Sequence, residues 1–107
     1  MDVTRLLEDL RSKDWEVATR AAERLREASG DAVTQALVGA LDAHDTGIIE
    51  AAAESLILRD EPSTANRMWH ALTTLDEDAT NHIWDVIESL PEENVSRELD
   101  RRYWAQT

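Results

Sequence analysis

Three carboxylates, Glu23, Glu54 and Asp85, stand at intervals of 31 residues. Side chains that recur at one interval occupy one position of a repeated unit, so the three are expected to line up across neighbouring helices. Glu50 and Glu88 lie about one helical turn from Glu54 and Asp85 and widen the row into an acidic band. Like charges held side by side repel, and a cation relieves the repulsion. The chemistry open to such a band is recognition of a basic partner.

The same residue types allow two other chemistries. Asp78, His82 and Asp85 fall at i, i+4 and i+7 on one helix face, a spacing that can gather metal ligands. A zinc site needs three or four ligands with more His or Cys, and His44 and His70 have no such company, so neither a metal nor a cofactor is expected. Paired carboxylates such as Glu54 and Asp85 perform acid–base work only where their surroundings split their pKa values. The chain has no Gly-rich phosphate loop, no nucleophile elbow, no HExxH and no cysteine. No catalytic residue is expected, and the chain reads as a non-enzyme.

The aromatic residues are four Trp and one Tyr, with no Phe. Trp69 matches Leu7 and Val38 in the 31-residue register and reads as core. Trp15 matches Thr46 and Glu77, and Trp104 matches Arg11, Asp42 and Thr73, so both stand where other units are polar. Trp84 matches Ala22 and Ala53, where little room is available, and is expected to be displaced outward beside Asp85. Tryptophan is enriched at binding hot spots. Trp15, Trp84 and Trp104 therefore join Glu23, Glu50, Glu54, Asp85 and Glu88 as candidate partner-binding residues.

These positions depend on a repeat. Leu6, Leu10, Asp14, Val17, Ala21, Ala22 and Leu25 recur 31 residues later as Leu37, Leu41, Asp45, Ile48, Ala52, Ala53 and Leu56. The series Leu6, Leu37, Met68, Leu99 and Leu10, Leu41, Leu72, Tyr103 extend the ruler through the chain. Apolar spacing of three and four residues predicts helices over about Val3 to Ser12, Trp15 to Ala28, Ala32 to Ala43, Thr46 to Arg59, Ser63 to Leu75 and Ala79 to Leu90. Asp2, Asp14 and Asp31 serve as predicted N-caps, His44-Asp45 forms the second inter-helix turn, and Asp76 to Asp78 open the sixth helix. Gly30 ends the second helix. Ala36 and Ala40 are expected on the inward side of the third. Pro91 begins a last helix with Glu92 and Glu93 in its first turn, where the helix dipole favours carboxylates. Arg97, Arg101 and Arg102 would make its outer face polar.

The expected fold is all-α: a right-handed α-solenoid of about seven helices in stacked antiparallel pairs, with no sheet. It forms a single domain over 1–107, with units at about 3–29, 31–60 and 62–90 and a capping helix over 92–105. A chain of 107 residues can bury a modest core without disulfides. The net charge of −12 disfavours nucleic-acid binding, since phosphate contacts need clustered Lys and Arg. Acidity concentrates between Glu27 and Leu58 and between Met68 and Ser96, which contain no Lys or Arg. With no basic leader followed by an apolar run, and no apolar stretch near the roughly 20 residues of a membrane span, a cytoplasmic location without membrane contact is expected. Arg outnumbers Lys ten to one, a bias of GC-rich bacterial genomes, so a bacterial source is expected.

Asp14-Trp15-Glu16-Val17 followed by Ala21-Ala22-x-x-Leu25, and again Asp45 to Leu56, resembles the short bacterial HEAT-like repeats. In these an Asp in the inter-helix turn precedes an apolar residue, an Ala pair and a Leu on the second helix. Ala18 and Ile49 replace an Arg common in that family, and the period is shorter than in the long eukaryotic form. The Trp, Leu-Gly and Tyr pattern of tetratricopeptide repeats is absent. The resemblance implies a scaffold, adaptor or inhibitor; the DNA glycosylases built this way are larger and basic along their groove. Small acidic proteins of this kind look like some bacterial immunity proteins. Compactness, strong acidity and the inferred bacterial source together with this likeness lead to the expectation of an inhibitor, a monomer rather than a homo-oligomer, that neutralises a basic partner such as a nuclease toxin. The alternative is a structural or assembly scaffold that self-associates or docks through end-facing Trp15, Tyr103 and Trp104.

Overall fold

The computed structural model describes residues 2–91 and 93–106. Its helices are α1 (Val3–Asp9), α2 (Trp15–Arg24), α3 (Asp31–Gly39), α4 (Thr46–Arg59), α5 (Thr64–Thr74), α6 (Glu77–Ser89) and α7 (Asn94–Gln106). Single 3-10 turns, Leu25–Glu27 and Ala40–Asp42, follow α2 and α3. The described residues are thus all-helical and contain no strand. They fold into a body of 41 × 26 × 21 Å, and no helix among them is long and apolar enough to cross a membrane.

Aspartates start four of the helices. The carboxylates of Asp2, Asp14, Asp45 and Asp76 accept hydrogen bonds from the backbone N–H groups of Arg5, Glu16, Gly47 and Ala79. Each satisfies an N–H that the helix leaves without a partner, which typically stabilises by about 1 kcal/mol. Asp31 departs from its expected role. It is the first residue of α3, Gly30 holds the N-cap position, and the Asp31 carboxylate takes a guanidinium N–H from Arg67 of α5 at 2.5 Å. Gly30 adopts φ 108° and ψ 158°, a region essentially closed to residues with a Cβ.

The helix ends also differ from the periodicity. The α-helical winding of α1 stops at Asp9 rather than Ser12, while α2 and α3 tighten into 3-10 turns before Ala28 and Ala43. The last helix starts at Asn94, so Glu93 precedes it; Glu92 lies outside the described residues. The carboxylate at its positive end comes from the far side of the chain. Asp60, just past α4, accepts from the Val95 N–H at 2.9 Å and from Asn94 Nδ2 at 3.0 Å. To do so Asp60 takes a left-handed backbone, φ 49°. Asp60→Ala keeps the strained backbone and loses the cap, so a loss of about 1–2 kcal/mol is expected. Faster amide exchange confined to the first turn of α7 would identify the cause.

Packing is organised around α4. It contacts α2 on one side and α6 on the other, while α3 packs on α5 and α5 on α7. Helix α1 leans on α2, and α3 on α4. Eight of the 14 residues of α4 are buried, among them Ile48, Ile49, Leu56 and Ile57. Ala22 and Ala53 are fully buried, and small side chains at such positions let helix axes approach closely. Ser55, also fully buried, donates its hydroxyl proton to the Ala22 carbonyl at 2.7 Å and links α4 to α2.

One inward assignment changes. Ala36 and Ala40 are half-buried, because the short α1 makes no contact with α3 comparable to that of α3 with α5. They still pack against the core, and their open sides line a cleft.

Candidate functional site

The expected acidic row resolves into two parts. Glu23 on α2 and Glu50 and Glu54 on α4 converge on a shallow hollow of about 320 Å³, whose remaining walls include Thr19, Arg26 and Gly47. Asp85 and Glu88 lie exposed on α6 and do not line it. The structure thus brings together three of the five carboxylates.

Their charge environments differ. Arg26 Nη2 lies 2.9 Å from Glu54 Oε1, with both side chains partly exposed. Arg26 belongs to the 3-10 turn after α2, whose tighter winding changes which side chain faces α4. Glu50 stands 3.7 Å from His82 Nδ1 of α6, an ion pair only when the imidazole carries a proton. Glu23, Asp85 and Glu88 have no ion-pair partner among the described residues. Asp78, His82 and Asp85 do not close on a point; among the described residues no group of three His, Asp or Glu side chains could hold a metal ion.

The hollow also has a polar floor. Thr19 Oγ1 and Arg26 Nε are buried without a hydrogen-bond partner within the protein. At Gly47 a Cβ would come within 2.9 Å of the Asp45 carboxylate and 3.6 Å of Thr19 Oγ1. The absence of a side chain there leaves the Asp45 cap and the Thr19 hydroxyl in place.

The aromatic residues divide between two regions. Trp84 is half-buried rather than displaced into solvent, and its ring meets the Tyr103 ring edge-on with centroids 5.3 Å apart. Tyr103 in turn meets Trp104 at 5.4 Å and 86°. Such edge-to-face pairs are favoured by the ring quadrupoles. Trp84 stands at the sequence position of Ala22 and Ala53, and there Tyr103 of α7 meets its ring. Trp69, Trp84 and Tyr103 line a corner hollow, while Trp104 remains 70% and Tyr103 44% exposed. Trp15, at the start of α2 and 51% exposed, has no part in this ring cluster.

Two basic residues of α7, Arg101 and Arg102, are engaged by Glu98 of the same helix. Glu98 accepts hydrogen bonds from Arg101 at 2.6 Å and Arg102 at 3.1 Å, which hold its pKa down at about 2. The carboxylate therefore stays ionised, and keeps both guanidiniums, at pH values where an ordinary glutamate begins to protonate. Arg102 also reaches Asn66 of α5.

The sequence pattern did not reveal Arg59. Its side chain is 2% exposed and bonds four groups at once: the Ala28 and Gly30 carbonyls, the Thr34 hydroxyl and the Glu61 carboxylate. Burial pushes its pKa down and the Glu61 charge pulls it back up. The only cue was a fixed positive charge beside the Asp60-Glu61-Pro62 break. No protein-family model matches this chain, and no curated protein or solved structure matches it.

Proposed function

We propose that this chain is a non-enzymatic protein-binding module, built as a right-handed α-solenoid of HEAT-like helix pairs, which receives a basic partner on the face of α2, α4 and α6. The observation that carries the reading is a charge imbalance. Of the five candidate carboxylates on those helices, Glu54 alone is ion-paired with a guanidinium among the described residues, that of Arg26, and Glu50 stands beside the imidazole of His82; Arg20 and Arg24 of α2 form no ion pair with any of the five. A partner's Lys and Arg side chains would supply the missing counter-charge. The most concrete form is an inhibitor or immunity-type protein that covers the basic active site of a toxin such as a nuclease.

The variant that tests this is Glu23→Lys/Asp85→Lys/Glu88→Lys, which spares the Arg26–Glu54 pair and changes only exposed positions. Cross-linking in the producing cells recovers the partner, and titration at low and high salt measures its affinity. The triple reversal is expected to weaken binding about 100-fold and to flatten its salt dependence. Unchanged affinity would sink the reading.

A second reading rests on the exposure of Trp104 and Tyr103. In it the α7 end self-associates or docks into a larger assembly. Sedimentation at several concentrations separates the two: a monomer throughout favours the inhibitor, and a concentration-dependent dimer favours assembly.

A further inference from the structure

We propose that the cleft between α1 and α3 binds a small amphiphilic monoanion, an apolar chain or ring carrying one carboxylate or sulfonate group. The site is separate from the acidic face and takes a ligand of opposite charge. Helix α1 packs on α2 and makes no extensive contact with α3, and a space of about 740 Å³ lies between α1 and α3. That volume is typical of small-molecule pockets, which span roughly 300–1,000 Å³.

The cleft has an apolar trough and a cationic mouth. On one side Ala36, Gly39, Ala40 and Ala43 follow the helical spacing of α3 and the turn after it; Leu7 and Leu10 face them from the α1 side. The small residues leave room rather than filling it. A Cβ added at Gly39 would meet nothing within 4 Å. Arg11 and Lys13, on the connection from α1 to α2, and His44, on the connection from α3 to α4, line the same cleft. Both connections join a first helix to the second helix of its unit, so the basic side chains gather at one end.

Charge selects the ligand. Lys13 is the only lysine of the chain, and neither it nor Arg11 has an ion-pair partner among the described residues. The carboxylates of Asp14 and Asp45 on those connections cap the backbone N–H groups of Glu16 and Gly47. The His44 imidazole offers a ring N–H in either protonation state. Glu8 is the one carboxylate lining the cleft, and it disfavours a ligand with a second negative charge. An alkyl chain laid along Leu7, Leu10 and Ala40 would therefore place a single anionic group at Arg11 and Lys13.

Isothermal titration with decanoate, decylammonium and acetate tests the assignment. Decanoate is expected to bind one-to-one and saturably below its micelle concentration, decylammonium at least about tenfold more weakly, and acetate not at all. Gly39→Leu, at a position where a Cβ meets nothing within 4 Å, fills the cleft and should abolish decanoate binding. Arg11→Glu/Lys13→Glu, both exposed, should weaken it about tenfold or more with no change in helical circular dichroism. Equal affinity for decylammonium, or decanoate binding that survives Gly39→Leu, would overturn the proposal, as would the absence of saturable decanoate binding.

Discussion

Arg59→Met is expected to lower folding stability by about 3 kcal/mol, the scale set by leaving the polar groups of buried Ala28 and Thr34, and the more exposed Gly30 carbonyl and Glu61 carboxylate, without their charged partner. Nε donates to the Ala28 carbonyl at 2.8 Å, Nη1 to Thr34 Oγ1 at 2.9 Å and Nη2 to the Gly30 carbonyl at 3.2 Å. Glu61 lies 3.1 Å from the same guanidinium and accepts from the Gly30 N–H and the Thr34 hydroxyl. These bonds tie the connection between α2 and α3 to the end of α4. Met preserves the length and apolar stem of Arg, so lost packing contributes little and the hydrogen bonds dominate. Chemical denaturation should show the full loss, and the melting temperature should fall by roughly 10–20 °C for a domain of this size. Arg59→Lys keeps the charge without the planar fork and should fall between Met and Arg. A loss below about 1 kcal/mol for Arg59→Met would mean that water replaces the guanidinium at little cost.

Leu56→Ala is expected to cost about 3 kcal/mol, for a different reason. Leu56 is fully buried on α4 and occupies the repeat position of Leu25 and Ile87, which are 0% and 3% exposed. Removing three carbons forfeits their transfer from water and leaves a cavity. The walls belong to helices packed on both sides of α4, so the space cannot collapse freely. Leu7 provides the control. It is half-buried beside the α1–α3 cleft, where a truncated side chain opens onto existing space, so Leu7→Ala should lose about 1 kcal/mol or less. Equal losses at the two positions, read from paired denaturation curves, would contradict this account of where the core is continuous.

Much of the architecture was legible because the features that specify a helix are local. The aspartates Asp14, Asp45 and Asp76 recur at 31-residue intervals; Asp14 accepts the backbone hydrogen bond expected of it, and Asp45 and Asp76, which the register placed at helix starts, accept the equivalent ones. The apolar positions at the same interval, Leu6, Leu37, Met68 and Leu99, are all buried. Periodicity was less informative at helix ends. The change to 3-10 winding after Arg24 and Gly39 depends on what the next helix packs against, and no residue type there announces it. Asp31 shows the same limit: an Asp before an apolar run reads as a cap, but an arginine 36 residues away claims the carboxylate.

The candidate site was legible as residue types and only partly as an arrangement. The 31-residue ruler put Glu23, Glu54 and Asp85 in one row, yet the hollow takes Glu23, Glu50 and Glu54 and leaves Asp85 outside. A ruler specifies position along each helix, whereas the rotation and tilt of α6 against α4 decide which side chains converge. Trp84 illustrates this: its alanine counterparts suggested no room, and there Tyr103 of α7 meets its ring.

By itself, then, the sequence determined the helices, their number and the composition of their faces, because hydrogen bonding and apolar spacing act within a few residues. Tertiary structure decided which charges meet and where space remains. Arg59 reaches four groups from three separate segments, Arg26 neutralises Glu54 while Glu23 stays unpaired, and α1 fails to close on α3. Each outcome depends on distances between residues remote in the chain. Those distances are set by how helices of unequal length and side-chain size pack together, which no local pattern encodes.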